Sequence, residues 1–232
     1  MGQNYVESNK VATASCTQAT LSGSVYISKA KVYSADKITD LLAIEATQEW
    51  TLGSTTFVGS ATAHNGTANS LMNNPLEYKP YMINNELRMT IWGTAFGSAD
   101  YAGLELKLKT PISIATEKQY VAITLKGGNS DKISILPMRA NGTAWCGAIK
   151  PTAVLPSDKD GYVTYVFEIE AKAGENIETL RIVPVGSTRV QGENANAEKV
   201  WVPDCTAFEI RISDILFGDM AVMEDKGYLS AN

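Results

Sequence analysis

The stretch ELRMTIWG, residues 86 to 93, sets Leu87, Met89 and Ile91 on one side of a period-2 pattern and Arg88, Thr90 and Trp92 on the other. A planar cation, a hydroxyl and a large aromatic ring on one side have two uses. They fill the inside of a second packed sheet, or they form a surface that binds something. Sugars are held in the second way, with aromatic faces stacked on the C–H faces of the ring and Arg, Asn, Asp or Gln bonding the hydroxyls at the rim. MRANGTAW repeats the composition: Arg139, Asn141 and Trp145 flank an Asn-Gly turn, where the alternative is a loop tryptophan that caps the core. Tyr81, with Tyr78, alternates with prolines in NPLEYKPYM, a rigid segment able to frame a groove. Trp50 reads as core, and Trp201 in VWVPD as the entry to a strand.

Catalytic chemistry has fewer candidates. Glu168 and Glu170 share a strand face, about 6.5 to 7 Å apart by strand rise, which is compatible with paired-carboxylate glycoside hydrolysis. The same alternation also describes the wet face of an ordinary amphipathic strand. The single histidine, His64, sits in an AHNG loop with no serine or cysteine motif nearby, and there is neither a phosphate-binding glycine loop nor a nucleophile elbow. The expectation is therefore a binder that leaves its ligand intact, with an enzyme using Glu168 or Glu170 as the alternative.

Bulk properties narrow the class. With 232 residues, 44% hydrophobic and 19% charged, the chain has the composition of a globular protein, and one domain over 1–232 is expected. A net charge of -5 and a pI near 5.0 argue against nucleic acid or an anionic membrane surface as partner. No apolar run reaches the roughly 18 residues of a membrane helix, so no membrane insertion is expected. The start MGQNYVESNK lacks the regions of a signal peptide, and Val6 stands where a myristoylation motif needs Ser or Thr; a mature or trimmed form is expected. Cys16, Cys146 and Cys205 form an odd set without metal-ligand spacing, from which at most one pair can bridge. Asn-x-Thr sequons at Asn65 and Asn141 matter only in a eukaryotic secretory route.

The elements that position these residues are strands. GLELKLK, QYVAITLKGG, DKISILPMR, GYVTYVFEIE, ETLRIVPV and AFEIRISDILFGD follow one another from residue 103 onward, each alternating and each bounded by turn residues. Leu104, Leu106, Leu108, Val121, Ile123, Leu125, Phe167, Ile169, Ile210 and Ile212 are expected to share one core. Pro137 assigns its strand to an edge or a bulge. The first third is less regular: VYISKAKVYS reads as a strand, KITDLLAIEATQEW as a helix or as strand and turn, TTFVGSATA as a strand, and SATAHNGTANSLMNN as a polar loop. GSTRVQGENANAEK is the longest loop expected. The class is all-β, an antiparallel β-sandwich.

Three stretches in order, YAGLELKLKTPISIATEKQYVAITLKG, YVTYVFEIEA with IETLRIVPV, and FEIRISDILFGD, together resemble the galactose-binding-like jelly rolls over roughly residues 86 to 219. That resemblance implies a sugar-recognition domain of the kind found in carbohydrate-binding modules and in secreted, periplasmic or surface proteins of bacteria. The implied partner is an oligosaccharide or polysaccharide, held by Arg88, Trp92, Arg139, Asn141, Trp145 and Tyr81, with a structural or adhesive surface protein as a further alternative. It also implies a structural calcium near Asp214, for which the sequence offers no second carboxylate; no other cofactor is expected.

Overall fold

A computed structural model describes residues 48–59, 61–65, 80–92, 102–127, 133–157, 159–185, 190–193, 199–202 and 207–230. Within them two six-stranded antiparallel sheets face each other. The first runs β1 (Glu49–Leu52), β2 (Thr55–Val58), β6 (Ala102–Ser113), β11 (Asn176–Val185) and β8 (Ser134–Met138), with β3 (Thr62–Asn65) also paired to β6. The second runs β4 (Tyr81–Ile83), β5 (Glu86–Trp92), β14 (Ala207–Gly218), β7 (Gln119–Gly127), β10 (Val163–Ile169) and β9 (Ala153–Pro156). A separate hairpin joins β12 (Val190–Glu193) to β13 (Lys199–Val202). From β6 onward the chain crosses repeatedly between the two sheets, the wiring of a jelly-roll sandwich.

The alternation of the sequence is the reason for this layering. All ten residues expected to share a core are buried in one cluster, which draws Leu104, Leu106 and Leu108 from the first sheet and the remainder from β7, β10 and β14 of the second. Trp50 joins them as expected, its ring stacked on Phe57 at 4.8 Å and its indole N–H donating to the Gly59 carbonyl at 2.9 Å. β8 lies at the edge of its sheet, as Pro137 requires.

Several expectations are corrected. The described end of KITDLLAIEATQEW enters β1, while the remainder of that segment and VYISKAKVYS lie outside the described residues. The polar loop expected around His64 holds β3 instead, where His64 pairs with Gly103. The long loop GSTRVQGENANAEK contains β12, and Trp201 stands in its partner β13. Pro80 is buried and Tyr81 belongs to an edge strand, so NPLEYKPYM does not stay outside the sheet; Tyr78 lies outside the described residues. Cys16 and Cys205 also lie outside them, and Cys146 is a free thiol that burial pushes up in pKa.

A short helix, α1 (Met220–Asp225), has no counterpart in the sequence reading. Asp219 caps it, its carboxylate accepting from the Val222 N–H at 3.0 Å. The helix lies on the outer side of the second sheet, where Met223 packs with Tyr120, Ala122, Val166 and Leu216 in a second apolar cluster.

Candidate functional site

Among the described residues the outer side of the second sheet carries an apolar cluster beneath α1. Elsewhere one cross-strand row reads Tyr81, Arg88, Arg211, Lys126 over β4, β5, β14 and β7. Arg88 alternates with the buried Leu87 and Met89, so it stands on the outer face, opposite the core, which no further sheet covers among the described residues.

Glu86 organises one end of that face. The two-residue turn Asn84-Asn85, both at positive φ (52° and 59°), delivers it as the first residue of β5. Arg88 donates to its Oε2 through Nε at 3.2 Å and Nη2 at 2.9 Å. The loop between β9 and β10 supplies the other partners: Tyr162 donates its hydroxyl to Oε1 at 2.5 Å, and the Lys159 ammonium pairs with the same oxygen while lying 4.4 Å from the Tyr162 ring centroid. Burial alone would raise the Glu86 carboxyl, but the bonds from Lys159, Tyr162 and Arg88 outweigh it and hold the pKa at about 2. The carboxylate is therefore a fixed charge that ties the loop to β5. The Lys126 ammonium adds a bond to the Asp160 carbonyl at 3.3 Å.

Between this loop and the segment that follows α1 lies an open cleft of about 640 Å³. Its floor carries Thr124 and Thr164, bonded to each other through their hydroxyls at 2.8 Å, and Ser213, which donates to the Thr124 carbonyl at 3.3 Å. Lys159 lines it from the loop, Lys226 and Tyr228 from the far side. Asp214 contributes to the lining too, but its Oδ1 is buried against Gly53 of the β1–β2 turn and has no hydrogen-bond partner. Desolvation pushes this carboxyl up in pKa, opposed by the Ile215 backbone N–H and the charge of Lys226.

The candidates read from the sequence divide between two places. Arg88 and Tyr81 occupy adjacent positions on the outer face, and Arg88 reaches the cleft through Glu86 and Lys159. Trp92 holds the register position opposite Ala207 on the same pair of strands; its side chain lies outside the described residues. Arg139, Asn141 and Trp145 follow β8, the edge of the other sheet, and so do not complete a rim beside Arg88. Arg139 is committed to Glu175, at 3.0 and 2.5 Å, and Asn141 accepts from the Thr143 N–H and hydroxyl at 3.0 and 2.7 Å. Trp145 is 9% exposed and belongs to the core cluster, with the Lys172 ammonium 5.4 Å from its ring centroid. Its face is covered, which removes it as a sugar platform.

Glu168 and Glu170 stand beside a shared cation: Lys118 lies 2.7 Å from Glu168 and 3.2 Å from Glu170. These bonds raise Lys118 to about 12, and Lys118 lowers the Glu168 carboxyl. A glycosidase acid needs the opposite shift. For calcium the fit is poor: among the described residues no group of three or more His, Cys, Asp or Glu could hold an ion, and Asp214 turns one oxygen against Gly53, far short of the six to eight oxygens the ion takes.

No protein-family model matches the chain, and no curated protein matches it. Among solved structures the chain is similar to a variant of a family 29 carbohydrate-binding module, with 10% identity, a TM-score of 0.37, and coverage of 75% of this chain and 92% of that one. A second variant, complexed with cellulohexaose, has 12% identity and a TM-score of 0.32, over 67% and 89%. The enzymatically active domain of bacteriophage CBA120 tailspike protein 4 has 13% identity and a TM-score of 0.32, over 73% of this chain and 19% of that chain.

Proposed function

We propose that the protein binds a glycan on the outer face of its second sheet, in the cleft beside α1 and along the row from Tyr81 to Lys126, without turning the glycan over. The observation that carries this reading is the cleft: an open trough that sets the hydroxyls of Thr124, Thr164, Ser157 and Ser213 beside two ammonium groups, a tyrosine and the apolar Leu155 and Pro156. Such a lining exchanges hydrogen bonds with a polyhydroxylated ligand, and its openness suits a chain passing through. Trp92 extends this face as a stacking ring in the proposal, with Arg88 bonding hydroxyls. A secreted or cell-surface location belongs to the same reading, because polysaccharides are met there.

Titration of the protein with a panel of oligosaccharides tests it. Trp92→Ala is expected to weaken binding about tenfold or more, the loss of one stacked ring, with little change in melting temperature. Unchanged binding with a fall of several degrees would return Trp92 to a packing role and confine the site to the cleft.

A further inference from the structure

The charges on this face run against those of the whole chain. The protein carries a net charge of -5, yet two ammonium groups, Lys159 and Lys226, line the cleft, and among the described residues its only carboxyl is Asp214, with Oδ1 turned against Gly53. Two carboxylates of this face are already committed, Glu86 to Arg88 and Lys159, and Glu209 to Arg211 at 2.8 Å. Lys226 has no carboxylate within ion-pair distance among the described residues, and neither has Lys126, whose ammonium reaches only the Asp160 carbonyl. A site for a neutral sugar is built mainly on aromatic faces. Here the lining offers one aromatic ring, Tyr228, beside two ammonium groups and the hydroxyls of Thr124, Ser157, Thr164 and Ser213.

We infer that the ligand of this cleft is an anionic glycan, one whose sugar carries a carboxylate or sulfate group placed between Lys226 and Lys159 while its hydroxyls meet Thr124, Thr164 and Ser213. The inference rests on the glycan-binding reading and adds the charge of the sugar. Lys226, without an ion-pair partner among the described residues, and Lys159, which it shares the cleft with and which also holds Glu86, draw an anion to this end of an otherwise acidic molecule.

Calorimetric titration of the full chain with an oligogalacturonate, a sulfated galactan oligosaccharide, mannohexaose and cellohexaose, alongside polyglutamate, separates the outcomes. One of the two acidic sugars is expected to bind about tenfold more tightly than either neutral one, as a charge-assisted hydrogen bond implies. Raising the salt concentration should weaken that binding and leave neutral sugars unaffected. Lys226→Gln should lower acidic-sugar affinity about threefold to tenfold, clearly more than it lowers that of neutral sugars; Lys159→Gln, the other ammonium of the pair, is the second variant, should the first not fold. Which acid binds distinguishes carboxylate from sulfate. Neutral sugars bound as tightly as acidic ones, or lysine variants without effect, would overturn the inference and leave glycan binding standing. Polyglutamate bound as well as the acidic sugar would overturn it as charge attraction alone. If no oligosaccharide of either kind binds, the glycan reading itself falls.

Discussion

Glu86 shows how one buried charge can be kept. Its residue is 5% exposed, a position that costs several kcal/mol to an unpaired carboxylate, and it is retained because a guanidinium, an ammonium and a phenol all donate to it. The folded pKa, about 2 against the ordinary 4.5, fixes the sign of the pH effect. A depressed carboxylate contributes stability that is complete above the unfolded value and is lost as pH falls through the folded one. With Lys159 half exposed the contribution is on the order of 2 kcal/mol, lost between about pH 5 and pH 2. Glu86→Gln should lower the melting temperature at pH 7 by roughly 4 to 8 °C, and its difference from wild type should shrink as the solution is acidified to pH 2. A pH-independent difference in thermal melts would show that the carboxylate charge is not what holds the β9–β10 loop.

Among the elements, the β1–β2 hairpin packs Trp50, Leu52 and Phe57 into the core and brings its turn hard against Asp214 of the opposite sheet. Gly53 sits at φ +58°, where a side chain is strained, and a Cβ built on it would fall 1.4 Å from Asp214 Oδ1. Asp214 lies next to a register shift in the pairing of β14 with β7, so the irregularity in one sheet meets the turn of the other. Gly53→Ala should cost about 2 kcal/mol or more, read as a lower denaturant midpoint. The double variant with Asp214→Ala should recover the part due to the clash and keep the roughly 1 kcal/mol due to φ. No recovery at all would mean that the backbone angle accounts for the whole loss.

At the scale of the molecule, the two sheets are held by one apolar core whose members alternate along every long strand. Phe167, fully buried in β10, should cost about 3 to 5 kcal/mol when changed to Ala, measured by denaturant unfolding, while Glu170→Gln on the wet margin should stay within about 0.5 kcal/mol. The alternation of Leu104, Leu106 and Leu108 against Glu105, Lys107 and Lys109, and of its partners in β7, β10 and β14, was enough to determine the strands, the antiparallel sandwich and the core list, because a period of two leaves each side chain a single choice of face. It also determined that Arg88 stands opposite the core. Which surface lies opposite was decided only by the strand order, which sets β5 beside β14 and gives the face to solvent and α1. The hairpin at Asn84-Asn85, the short helix and the strand at His64 carry local patterns too brief or too polar to stand out from loops. The separation of Arg139 and Trp145 from Arg88, and the meeting of Glu86 with Lys159 and Tyr162 more than seventy residues later, depend on which strands become neighbours. Periodicity records a side chain's face, whereas its partners across the sheet are set by long-range pairing that no local window contains.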